Sequence, residues 1–167
     1  AATRELSPYP IGGHDNQKYD IRSLLLDGDH LWIGTYAKGI RVVNLRTGAV
    51  KVYTHSRGIP YTICSNDVLC FYRGRNGEIY VGTSWGLCRY DAAKDNFMPI
   101  INIGSMISIT DMHEDMYNHL WIATSSSGVF TYNTINGHYK NYQHEREDST
   151  TITSNSIITL FEDVKGT

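Results

Sequence analysis

Residues 30–35 read His30-Leu31-Trp32-Ile33-Gly34-Thr35, and residues 119–124 read His119-Leu120-Trp121-Ile122-Ala123-Thr124. Between them, Glu78 to Thr83 reads EIYVGT, with an aromatic residue, a small residue and a Thr at the same places. A phrase repeated in this way is either an active-site motif or a structural unit, and the flanking text decides. Segments starting at Ile21, Val68 and Ile109 align along their length, and a fourth copy, IITLFEDVKG, starts at Ile157. The starts lie 47, 41 and 48 residues apart, within the period of four-stranded propeller blades. Trp32, Tyr80 and Trp121 coincide, followed by Gly34, Gly82 and Ala123, then Thr35, Thr83 and Thr124, then Gly39, Gly86 and Gly128. Asn44, Asp91 and Asn133 coincide next, each soon followed by a turn. The phrase is therefore structural.

Each unit parses into four short strands. The first is IRSLLL, VLCFYR or ITDMHE, and a polar turn reverses the chain into HLWIGT or its equivalent. A turn ending at Gly39, Gly86 or Gly128 leads to GIRVVNL, GLCRYD or GVFTYN, and the fourth strand is VKVYTH, NFMPII or HYKNYQH. No window keeps helical period. Longer polar connections, such as His55–Asn66 and His144–Ser156, carry the chain to the next unit. The predicted fold is all-β: propeller blades of four antiparallel strands, about three complete, with partial blades at each end of an incomplete ring. The units are residues 20–66, 67–107 and 108–155. Residues 1–19 are expected to end a preceding blade, and residues 156–167 to supply the first strand of a further one. A piece of a longer repeat array is expected, with self-assembly of copies into one ring as the alternative.

A small residue inside a strand marks close packing under a neighbour's larger side chain. Trp32, Tyr80 and Trp121 are thus expected to pack between adjacent blades, with Gly34, Gly82 and Ala123 making room.

Composition narrows the function. A net charge of −2 and a pI near 6.4 leave no basic footprint for nucleic acid. The apolar runs are too short to span a bilayer, so any membrane contact is expected only through segments outside this sequence. Cys64, Cys70 and Cys88, an odd number at spacings of 6 and 18, match neither a zinc ligand set nor a dense disulfide framework. Buried or idle thiols are expected, and one disulfide is left open.

His30 and His119 occupy one repeat position, which reads as a turn or surface role; His113 and His119 lack a third metal ligand. The acids Asp27, Asp29, Glu114, Asp115, Glu162 and Asp163 recur near the first turn, which favours turn hydrogen bonding over acid–base work. No phosphate loop or nucleophile elbow is present. No catalytic residue, metal or cofactor is expected. Binding is expected instead where the copies diverge, in the loops at one face. Tyr36, Lys38, Arg57, Tyr61 and Trp85 are the candidate ligand-binding residues, suited to stacking on a sugar face and bonding its hydroxyls.

IRSLLLDGDHLWIGTYAKGIRVVN, VLCFYRGRNGEIYVGTSWGLCRYD and ITDMHEDMYNHLWIATSSSGVFTYN resemble the two-component regulator propeller repeat, as does ITSNSIITLFED at Ile152–Asp163. The second copy departs from the pattern with Tyr80 for Trp, and the third with Ala123 for Gly. The resemblance implies a periplasmic sensor region of a hybrid two-component system, recognising an oligosaccharide or other small polar ligand. Transcription would then be regulated by phosphorelay through a histidine kinase encoded outside this sequence. It also implies self-association, as a completed ring or a sensor dimer. An extracytoplasmic propeller enzyme of the lyase kind and a protein-binding scaffold are the alternatives.

Overall fold

The computed structural model describes residues 18–100 and 106–163. Among them, twelve strands form three four-stranded antiparallel sheets, and there is no helix. The first sheet runs β1 (Ile21–Asp27), β2 (His30–Thr35), β3 (Ile40–Asn44) and β4 (Val50–Tyr53), in that order. The second holds β5 (Val68–Arg73), β6 (Ile79–Thr83), β7 (Gly86–Asp91) and β8 (Asn96–Pro99). The third holds β9 (Ile109–Glu114), β10 (His119–Thr124), β11 (Val129–Asn133) and β12 (Tyr139–Tyr142). β5 lies beside β1 and β9 beside β5, so the first strands of successive sheets stand side by side, as in partial propeller blades.

The turns follow from side chains at fixed repeat positions. Asn44 Oδ1 accepts the amides of Arg46 and Thr47, Asp91 Oδ1 those of Ala93 and Lys94, and Asn133 Oδ1 those of Ile135 and Asn136. Three Asx turns thus close the third hairpin of each unit. Gly39 and Gly128 sit at φ 74° and 73°, and a Cβ at either would strike the carbonyl oxygen of Tyr53 or Tyr142. Every first-to-second strand pair carries a register shift near its start, a bulge between Ile21 and Ser23, Val68 and Cys70, and Ala123 and Thr124.

Two apolar layers hold the sheets together. Between the first and second, Trp32 is 4% exposed, stacks on Tyr53 and meets Phe71 and Tyr90 edge-on. Between the second and third, Tyr80 and Leu87 pack with Met112, Leu120 and Phe130. A Cβ on Gly82 would fall within 2.8 Å of Ile109 Cγ2, so the small residue does make room for the following sheet. Trp121 differs: it is half-buried, stacked on Tyr142, and its indole N–H donates to Asp115 at 2.9 Å. No fourth sheet covers it among the described residues.

Glu114 joins the second layer from an unexpected direction. It is 2% exposed, and its carboxylate accepts the Arg75 amide at 2.7 Å and the Thr134 hydroxyl at 3.2 Å. An acid expected to bond within the first turn is a buried tie between the second and third sheets. Residues 156–163, the expected opening strand, form no strand pairing. They run beside β9, where Thr110 donates to Ile157 O, Asp111 accepts the Leu160 amide, and His113 meets Glu162 at 2.7 Å. The expected end of a preceding blade lies outside the described residues except for Lys18 and Tyr19.

Candidate ligand-binding site

The turns between second and third strands share a face with the connections between units. Thr35, Thr83 and Thr124 each donate a buried hydroxyl to the carbonyl of Gly39, Gly86 or Gly128, at 2.8 Å in all three. The Gly39 amide then donates to Asn66 O and the Gly128 amide to Asn155 O, both at 2.9 Å. The two connections are built alike. Asn66 Oδ1 accepts the His55 amide and Asn155 Oδ1 the His144 amide, while the His55 and His144 Nδ1 atoms bond Ile63 O and Ile152 O. Both imidazoles are engaged in holding loops, so neither reads as a free acid–base group.

On this scaffold the second unit and the connection leading into it form a pocket of about 330 Å³. Trp85, 60% exposed, lines it together with Ile59, Pro60, Tyr61, Leu87, Pro99 and Ile100. Tyr61 sits at φ 63°, uncommon for an aromatic residue, and its carbonyl accepts the Phe97 amide at 2.9 Å. The Trp85 turn is fixed by its amide donating to Thr83 Oγ1 at 3.1 Å. Two exposed rings thus stand on backbone that is pinned, a preorganised apolar site.

Of the sequence candidates, the structure brings Tyr61 and Trp85 around this pocket. Arg57 is exposed on the same connection but is not part of the lining. Tyr36 and Lys38 belong to another group: the Arg22 guanidinium lies 5.0 Å from the Tyr36 ring, and Lys38 Nζ 4.9 Å from the Tyr19 ring. The sequence reading missed Ile59, Pro60, Pro99 and Ile100. Aligning the two connections on their His and Asn anchors would have found the first two, since Ile59, Pro60 and Tyr61 face Asp148, Ser149 and Thr150.

Polar groups cluster elsewhere. At the far edge of the first two sheets, Asp95 Oδ1 accepts from Tyr53 at 2.5 Å and Tyr90 at 2.7 Å, and Lys51 pairs with Asp95 Oδ2. The Lys51 ammonium and the two phenols hold the Asp95 carboxyl down at about 2, and burial with the same carboxylate pushes the Tyr53 phenol up. His30 bonds Asn44 at 3.3 Å and His119 lies 3.4 Å from Asp115, both at the rim opposite the loop face. Among the described residues, no three His, Cys, Asp or Glu side chains gather as a metal ion would require.

A larger cavity of about 450 Å³ opens between the first two sheets beside Lys51 and Tyr53. Another lies on the uncovered flank of the third sheet, between Trp121 and Phe161. Both follow from the edges of stacked sheets, whereas the Trp85 pocket joins the second unit to the connection leading into it.

Residues 62–85, which run from the Tyr61 side of this pocket to Trp85, match the family model described as two component regulator propeller. No curated protein matches the chain. Among solved structures, it is similar to the extracellular domain of a putative hybrid two component system from B. thetaiotaomicron, at 26% identity and a TM-score of 0.69. That match covers 84% of this chain and 17% of the other. A second such domain from the same organism matches at 21% identity and a TM-score of 0.58, over 92% of this chain and 26% of the other. Virginiamycin B lyase from Staphylococcus aureus shares the fold at 17% identity and a TM-score of 0.54, over 76% of this chain and 42% of that one. The chain thus spans about a fifth of the length of the sensor domains it resembles. Residues 62–85 thus match one two-component regulator propeller repeat, within a chain folded as consecutive blades.

Proposed function

We propose that this chain is part of the extracytoplasmic sensor region of a hybrid two-component system, and that its loop face recognises an oligosaccharide. The observation that carries the reading is the pair of exposed rings on pinned backbone, Trp85 and Tyr61, lining one pocket of about 330 Å³. Flat aromatic faces pack against the C–H faces of pyranose rings, while nearby carbonyls and hydroxyls bond the equatorial oxygens. The similarity to extracellular domains of hybrid two component systems supports a sensing role outside the cytoplasm, in the periplasm. Phosphorelay and transcriptional control would follow from parts of the protein outside this sequence. Ligand would act by binding one arrangement of the sensor regions more tightly than another.

The pocket chemistry supports binding over turnover. Among the described residues its lining holds no carboxylate, and glycoside hydrolysis ordinarily uses two. Titration calorimetry of the chain against a panel of defined glycan oligosaccharides tests the proposal. Binding of one class, weakened at least tenfold by Trp85→Ala with the sugar recovered intact, is the expected result. Affinity unchanged by that substitution removes the pocket as the site, and consumption of the sugar turns the reading to an enzyme.

A further inference from the structure

The three cysteines are not equivalent. Cys70 donates its thiol to Ile109 O at 3.5 Å, and burial pushes it up to about 12. Cys88, on β7, is wholly buried in the layer between the first two sheets. Cys64, on the connection before β5, packs against that same layer, is partly exposed, and lines the Trp85 pocket. The Cys64 and Cys88 side chains are near enough to shift each other's titration, while the Cys88 thiol donates to Val81 O at 3.8 Å. Cys64 thus lines the pocket, and Cys88 lies in the layer against which it packs.

The repeat supplies an independent argument. With the connections aligned on their anchors, Cys64 corresponds to Thr153. By strand register, Cys88 pairs with Val81 as Arg41 pairs with Ile33 and Phe130 with Ile122. Blade packing therefore needs a cysteine at neither position. This chain has both, Cys64 on the connection that leads into the second unit and Cys88 on β7 within it, against one apolar layer.

We propose that Cys64 and Cys88 are a redox-active dithiol beside this pocket, with Cys64 attacking and Cys88 resolving, oxidised by a low-molecular-weight disulfide. The proposal does not depend on which ligand the pocket takes. The Cys64 thiolate attacks one sulfur of the disulfide, whose S–S bond breaks; one thiolate leaves and is protonated. Cys88 then gives up its proton, attacks the Cys64 sulfur and expels the second thiolate, which is protonated in turn. Two protein thiols lose two electrons and two protons, and the oxidant becomes two thiols. The roles follow from the surroundings. The neighbouring Cys88 side chain holds the Cys64 thiol below its ordinary range, and burial pushes Cys88 well up, so the more exposed sulfur, at the pocket, is the nucleophile. The bond formed would tie the connection to β7 three residues after Tyr61, fixing one wall of the pocket.

The fully reduced chain is incubated with oxidised glutathione, then denatured, alkylated and mapped by mass spectrometry. A peptide linking Cys64 to Cys88, with Cys70 alkylated, is expected, together with a thermal midpoint raised by roughly 5 °C or more. Cys88→Ser should stop at a glutathione adduct on Cys64, and Cys64→Ser should give neither adduct nor link. Three alkylated thiols after oxidation, a link through Cys70, or an adduct that persists in the unaltered chain overturns the proposal. Should Cys88→Ser fail to fold, limiting alkylation of the reduced unaltered chain decides. Cys64 should react at least tenfold faster than Cys70 or Cys88, and equal rates overturn the assignment.

Discussion

Gly34 in the first sheet lies directly beneath Val68, the opening residue of the second: a Cβ built on it would stand 2.7 Å from Val68 Cγ1. Ser23 and Phe71 close the remaining space. Gly34→Leu should therefore force the first two sheets apart and lower stability by about 1–3 kcal/mol, read as a fall in the urea midpoint. Gly82→Leu should behave alike, because Ile109 occupies the corresponding place above it. An unchanged midpoint in both would show that the small residues do not set the spacing between sheets.

That spacing was legible in the sequence because every unit meets the same packing problem and answers it with the same residue types. Trp32 and Tyr80, the Thr after the small residue, and the Asn or Asp of the third turn were all visible as aligned columns. Glu114 was not, since its counterparts Leu26 and Arg73 are apolar and basic. Its burial depends on the neighbouring sheet's turn at Arg75, a contact that no single unit encodes. The site was half legible for a related reason. Divergence between copies pointed to Trp85 and Tyr61, but divergence alone could not separate them from Tyr36 and Lys38, which engage the segment at Tyr19 and Arg22 instead. The walls at Pro99 and Ile100 come from the end of β8, where nothing in the repeat pattern draws attention.

Glu114→Ala should destabilise the chain by about 1–3 kcal/mol, as the Arg75 amide and Thr134 hydroxyl lose a buried acceptor. Glu114→Gln keeps one acceptor oxygen and should lose less. Glu147→Ala, on an exposed loop, should stay within about 0.5 kcal/mol of the parent. Equal midpoints for Glu114→Ala and Glu147→Ala would remove Glu114 as a tie between sheets.

Asp95 predicts an acid limb in stability. Its folded-state pKa, at about 2, lies below the ordinary aspartate value because of Lys51, Tyr53 and Tyr90. A depressed pKa contributes stability that is present above about pH 4 and is lost as pH falls towards 2. The carboxylate is largely open to solvent, so salt should weaken the effect. Denaturation midpoints measured from pH 5 down to pH 2 should fall less steeply for Asp95→Asn than for the parent. Parallel curves would show that the cluster adds nothing to the pH dependence.

Thr83 connects the blade scaffold to the pocket. Its buried hydroxyl donates to Gly86 O at 2.8 Å and accepts the Trp85 amide at 3.1 Å. Thr83→Val keeps the shape of the side chain and removes both bonds, at a cost of about 1–3 kcal/mol. Thr124→Val removes the matching pair, to Gly128 O and from the Ser127 amide, in a turn that carries no aromatic ring. The two variants should therefore lose similar stability, measured by urea unfolding. They should differ in binding: only Thr83→Val frees the Trp85 turn, so only it should weaken an oligosaccharide whose affinity depends on Trp85. Equal affinities in the two variants would mean that the hydroxyl serves the blade alone and that the ring is held in place by its other neighbours.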